Sequence, residues 1–160
     1  MKEENKIFVT KATLPPKEEF LKYVDKIWES AWLTNMGDVH NELEDNLSKF
    51  MDDMDIVLTV NGHLALELAV QSLKIEGEVI TTPFTFASTT HAIVRNGLKP
   101  VFCDIKEDDF TIDPAKIEKL ITKDTKAIMP VHVYGNVCDV EAIESIAKKH
   151  GLYVVYDAAH

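Results

Sequence analysis

Leu152-Tyr153-Val154-Val155-Tyr156-Asp157-Ala158-Ala159-His160 is the stretch on which the reading of this chain turns. Its first five residues, all apolar, β-branched or aromatic, read as a fully buried strand. The run then ends on a carboxylate, two small residues and a histidine. In an open α/β sheet, ligands sit just outside the carboxyl ends of the strands. An Asp at such a place accepts a charge-assisted hydrogen bond from a cationic N–H. Ala158 and Ala159 leave room for a flat ring near the backbone. The plainer alternative is that Asp157 caps the next element and binds nothing.

Outward from this stretch, the chain alternates strand and helix. Residues 56–60, 78–81, 100–103 and 126–129 read as four earlier strands. Leu64, Ala65, Leu68, Ala69 and Leu73 mark a helix between the first two. A second helix is expected from about Phe86 to Arg95, ended by Asn96-Gly97. Asp113-Pro114 supplies a cap and a first-turn proline, with Ile117, Leu120 and Ile121 turned to the core. Asp139 opens a further helix through Ile143, Ile146 and Ala147, closed by His150-Gly151. Five strands alternating with helices predict an α/β fold: a mostly parallel, doubly wound sheet flanked by helices on both faces.

Residues 1–54 read differently. Pro15-Pro16 opens a helix with proline in its first turn. Phe20, Leu21, Val24, Ile27, Trp28, Ala31 and Trp32 then recur at helical spacing. A second helix carries Val39, Leu43, Leu47, Phe50 and Met51 on one face. The two tryptophans read as core or interface packing. The expected organisation is a helical segment, 1–54, followed by an α/β segment, 55–160.

Composition narrows the classes. A chain of 160 residues is one domain or a piece of one. Hydrophobic content of 46% and charged content of 28% are those of a soluble globular protein. No apolar run approaches the roughly 18 residues of a membrane span. The charged start, Met1-Lys2-Glu3-Glu4-Asn5-Lys6, has no apolar run behind it and is not expected to be a secretory signal. A net charge of -10 disfavours a nucleic-acid backbone as partner. Cys103 and Cys138 form no C-x-x-C, so a reduced, cytoplasmic protein is expected.

Several chemistries are disfavoured by spacing. His132, Cys138, Asp157 and His160 are ligand types without the close pairs of a zinc site, so no metal is expected. There is no G-x-S-x-G nucleophile elbow, no Walker loop and no G-x-G-x-x-G. What remains is a combination. Asn61-Gly62-His63 leads directly into a helix, where free N–H groups and the helix dipole suit a phosphate. Phe84 and Phe86 flank Thr85; one of them can lie flat on an aromatic ligand, although each alone reads as buried packing. Asp157 offers an acid for a ring nitrogen. Phosphate cradle, aromatic face and acid together are the equipment for pyridoxal 5'-phosphate, whose protonated ring acts as an electron sink.

Three ordered motifs carry a resemblance. They are Val79-Ile80-Thr81-Thr82-Pro83-Phe84-Thr85-Phe86-Ala87-Ser88-Thr89, Pro100-Val101-Phe102-Cys103-Asp104-Ile105, and Thr125-Lys126-Ala127-Ile128-Met129-Pro130-Val131-His132-Val133-Tyr134-Gly135. With the terminal Asp157-Ala158-Ala159-His160, and the early Trp32-Leu33-Thr34-Asn35-Met36-Gly37, the chain resembles the DegT/DnrJ/EryC1/StrS sugar aminotransferases. The resemblance implies the large domain of the aspartate-aminotransferase fold, apparently truncated, with the small C-terminal domain absent. It implies that Asp157 pairs with the pyridine nitrogen, Phe86 stacks on the ring and His160 meets the phenolic oxygen. Asn61, Gly62 and His63 would hold the phosphate, with His63 departing from the family's usual hydroxyl residue. His132 is a further candidate for lining the pocket.

The resemblance also implies a Schiff-base lysine beyond the Asp motif, and no lysine in this sequence is a good substitute, so no catalytic residue is assigned. The implied activity is transfer of an amino group, typically from glutamate, to a nucleotide-linked keto-sugar for polysaccharide or related glycan synthesis, by a homodimer. The alternatives are a truncated, non-catalytic interaction subunit and a sugar dehydratase of the same fold.

Overall fold

The computed structural model describes Ile7 and residues 11–160, so the charged opening at residues 1–6 lies outside the described residues. The chain divides into two compact units, Met1–Leu58 and Thr59–His160.

In the first unit, helix α1 spans Lys17–Ser30 and α2 spans Asp38–Phe50. Pro16 is the N-cap of α1, with extended backbone (ψ 134°), and not a member of its first turn as expected. The helix therefore begins only after both prolines. Both helices carry an apolar stripe, yet neither buries a residue. Trp28 is 82% exposed, which overturns core packing for that side chain. Two helices cover each other along one seam only, and a stripe wider than about 100° extends beyond it. The Trp32 indole N–H donates to the Asn35 carbonyl at 2.9 Å, which closes the turn after α1.

The second unit is the α/β part. Strands β1 (Glu78–Thr81), β2 (Lys99–Phe102), β3 (Thr125–Ile128) and β4 (Tyr153–Val154) form one parallel sheet in the order β2-β1-β3-β4. Helices α3 (Gly62–Ser72), α4 (Ala87–Arg95), α5 (Pro114–Ile117) and α6 (Val140–His150) accompany it. Strand alternation sends neighbouring residues to opposite faces. Val79 and Ala127 join Leu66, Val70, Ala92 and Ile93 in one core, under α3 and α4. Ile80 and Ile128 join Ile117, Ile143 and Ala147 in the other, under α5 and α6. The doubly wound arrangement is thus present.

Two strand expectations are corrected. Residues 56–60 form no strand: the segment is unpaired, and Val57 and Val60 are exposed. Alternation indicates extended backbone, but a ladder also needs a neighbouring edge. The sheet therefore has four strands among the described residues, not five. The stretch 152–156 is not fully buried either. Its strand is two residues long at the sheet edge, and Tyr153 is 52% exposed.

The helix boundaries follow local chemistry. Asp113 and Asp139 cap α5 and α6, accepting from Ala115 N–H and Ala142 N–H, each at 3.0 Å. Gly151 ends α6 in the left-handed region (φ 65°). Asp139→Ala is expected to cost about 1 kcal/mol of stability, read from urea unfolding, because one first-turn N–H loses its acceptor. Both cysteines are buried and free, and burial pushes each thiol up to about 11, so neither is a nucleophile at neutral pH. No helix among the described residues is long and apolar enough to cross a membrane.

Candidate functional site

The sheet order reverses direction between β1 and β3. From β1 the chain crosses to β2 on one side, then returns to β3 on the other. A crevice opens outside the carboxyl ends of strands at such a switch point. A cleft of about 350 Å³ lies there, a size suited to a small-molecule ligand. It is lined by Asn61, Gly62, His63, Phe86, Asp157 and His160, with smaller side chains including Thr85 and Ser88 between them.

Six of the seven residues expected from sequence therefore share one cleft. His132 is the exception and does not line it. Its Nδ1 accepts from Cys138 N–H at 3.1 Å, and its ring stacks on Tyr156 at 5.0 Å. That role is structural: the imidazole holds the turn after β3.

At one end of the cleft, Asn61 caps α3, its side chain accepting from Leu64 N–H at 3.0 Å. The N–H groups of Gly62 and His63 find no acceptor among the described residues. A Cβ built on Gly62 would meet nothing within 4 Å, so the space before these donors is open. The His63 imidazole turns to Glu67, with Nε2 3.4 Å from Oε2, while Arg95 Nε lies 2.6 Å from the other oxygen, Oε1.

On one wall stands Phe86, the N-cap residue of α4 and 74% exposed. Buried packing is thereby overturned for this ring. Phe84 is the one that packs, against Phe110 and Tyr134.

At the base is Asp157, only 6% exposed. Its backbone is tied to the end of β3 on both sides: Asp157 N–H donates to the Pro130 carbonyl at 2.9 Å, and the Asp157 carbonyl accepts from His132 N–H at 3.0 Å. Its Oδ2 accepts from the Thr89 hydroxyl at 2.6 Å and its Oδ1 from Ala159 N–H at 3.2 Å. No cationic side chain pairs with it among the described residues. A buried carboxylate left without a cation is costly, and a ligand N–H⁺ would offset that cost.

His160 closes the rim. Its Nδ1 accepts from Tyr134 N–H at 2.7 Å, and its ring stacks on Tyr134 at 5.9 Å. A neutral imidazole accepting at Nδ1 carries its proton on Nε2, which is then a donor. The stack coincides with a left-handed backbone at Tyr134 (φ 55°), an uncommon conformation for a non-glycine residue.

Thr85 and Thr89 carry no role in the sequence reading: Thr85 lies before the N-cap of α4, and only the folded chain shows its hydroxyl 2.7 Å from that of Thr89. The cleft also gains Ser88 and Val131, which only the folded strand order could reveal, and Ala159 lines it beside Asp157.

The sequence profile described as the DegT/DnrJ/EryC1/StrS aminotransferase family matches residues 16–160. A dTDP-4-amino-4,6-dideoxy-D-glucose transaminase of Escherichia coli is 52% identical over 152 residues, covering 95% of this chain and 41% of that protein. The solved structure of DesI in the presence of its TDP-sugar product superposes with a TM-score of 0.86 at 33% identity, over 91% of this chain and 37% of that one. NtdA from Bacillus subtilis, solved with bound cofactor PMP, gives a TM-score of 0.84 at 30% identity, over 98% of this chain and 38% of that one. The chain spans about two fifths of the length of the curated relatives it matches. Matched along nearly its whole described length, the chain belongs to the DegT/DnrJ/EryC1/StrS aminotransferase family.

Proposed function

We propose that this chain is the cofactor-holding portion of a pyridoxal-phosphate-dependent aminotransferase. Its substrates would be a nucleotide-linked keto-sugar and an amino acid, glutamate by the family pattern, in polysaccharide or related glycan synthesis. One observation carries the reading: a buried carboxylate, with no cation on it among the described residues, lies at the base of a cleft that also presents an exposed aromatic face and unpaired helix-start N–H groups. That donor set fits a flat, cationic, phosphorylated ring.

When bound, the cofactor supplies an electron sink for the amino-group exchange. The chain's own residues do the rest by placement. Asp157 accepts the ring N–H⁺ and keeps that proton in place. Phe86 offers a face for stacking. Gly62 and His63 give backbone donors, and the α3 dipole favours the phosphate's charge. His160, on the rim of the cleft, would meet the ring's phenolic oxygen. The helical segment 1–54 and the α/β segment 55–160 would serve a homodimer, with the exposed Trp28 side of α1 as its candidate contact. Two buried free thiols fit a reducing cytoplasm.

Pyridoxamine 5'-phosphate is the right probe, because it needs no lysine to hold it. Isothermal titration of the 160-residue chain is expected to show one site. Phe86→Ala should weaken that site about fivefold, the worth of one aromatic stack. Absence of saturable binding would remove the reading.

A further inference from the structure

The cleft's acid does not stand alone. Thr89, in the first turn of α4, is fully buried at 0% exposure, and its hydroxyl lies 2.6 Å from Asp157 Oδ2. A carboxylate only accepts, so Thr89 donates to it. The Thr89 oxygen is itself 2.7 Å from the Thr85 hydroxyl. With the Thr89 proton committed to Asp157, the Thr85 proton must point to Thr89. Thr85 lines the cleft, so the chain of hydroxyls runs from the cleft wall to the back of the acid. The second oxygen, Oδ1, is held by Ala159 N–H at 3.2 Å. Both oxygens are therefore fixed from the protein side, and the plane of the carboxylate is set.

We propose that Thr89 is the positioning residue for Asp157, with Thr85 fixing the direction of its hydroxyl. Thr89 touches no ligand; it aims the carboxylate at the ring nitrogen. This rests on the reading of the cleft given above. Its physical basis is that a buried, charge-assisted bond within a hydrogen-bonded chain is stronger than an isolated neutral one. A donor of this kind also removes the rotational freedom that an Asp side chain would otherwise lose on binding.

The test is made on the full chain with pyridoxamine 5'-phosphate. Thr89→Val keeps the shape of the side chain and removes the donor. It is expected to weaken binding roughly tenfold, and to reduce the near-ultraviolet circular dichroism of the bound ring at saturation. Thr89→Ser should restore both, which a role in packing alone would not predict, since Ser fills the site less well than Val. Thr85→Val, on the partly buried end of the chain of hydroxyls, is expected to lie between wild type and Thr89→Val; it replaces Thr89→Val should that variant fail to fold.

Asp157→Asn separates the two levels. If Asp157→Asn weakens binding while Thr89→Val and Thr85→Val match wild type in affinity and dichroism, the positioning role is overturned and the cleft reading stands. If Asp157→Asn binds as wild type does, the cleft reading fails and the positioning role fails with it.

Discussion

Asp157→Asn is expected to weaken pyridoxamine 5'-phosphate binding by at least about thirtyfold, the effect of removing one partner from a buried charge pair. The same substitution should leave the unliganded chain as stable as wild type, or more so. The wild-type carboxylate is buried with only neutral donors around it, from Thr89 and Ala159. An amide can keep both contacts: its oxygen accepts from Ala159 N–H, and its NH₂ donates to Thr89, whose proton then turns to Thr85. The threonine pair simply reverses. A residue whose replacement weakens binding this much without lowering the melting temperature is one kept for a ligand and not for the fold. Paired calorimetry and thermal melts check this. A large fall in stability with unchanged affinity would assign Asp157 to the scaffold.

Gly77→Ala is expected to cost at least about 3 kcal/mol of stability, in the range reserved for backbone strain and steric conflict. Gly77 has φ +125°, a region that side chains rarely adopt, and a Cβ there would lie 2.2 Å from the Asp124 carbonyl oxygen. That carbonyl accepts from Glu78 N–H, while the Gly77 carbonyl accepts from Lys99 N–H. Any shift made to admit a methyl group therefore disturbs the start of β1 against both β3 and β2. Those are the strands that hold the two cores together. Urea unfolding is the measurement. Gly97→Ala is the comparison, because a Cβ there meets nothing within 4 Å although its φ is also positive; it should cost clearly less. Equal losses would show that conformation alone, and not the close carbonyl, sets the penalty.

Much of this fold was legible as sequence because its signals were local. Asp113, Asp139 and Gly151 fixed helix ends by chemistry that acts within a few residues. Residues 56–60 misled because alternation cannot report whether a neighbouring strand exists. The edge position of β4 was hidden for the same reason: edge or centre is a property of pairing, not of composition. Of the two readings of Trp28, core packing fails because a wide apolar stripe shows that a face wants cover, not that the chain supplies it.

The site divides along the same line. Asp157, Phe86 and Asn61-Gly62-His63 stood out as residue types suited to a ligand. Their convergence required the reversal between β1 and β3, which no stretch of sequence displays. His132 follows a strand end, as Asp157 does, yet its ring is spent on Cys138 N–H. Thr89 gives no such signal, because the group its hydroxyl serves, Asp157, lies 68 residues further along the chain.

The backbone tie between Asp157 and the end of β3 has a consequence for rates. Because that residue is already latched to Pro130 and His132 on either side, an arriving ligand would meet a finished surface and not a loop awaiting order. Capture should then proceed at the pace of diffusive encounter and orientation, with little dependence on viscosity-insensitive rearrangement, and differences among ligands should be written in their residence times.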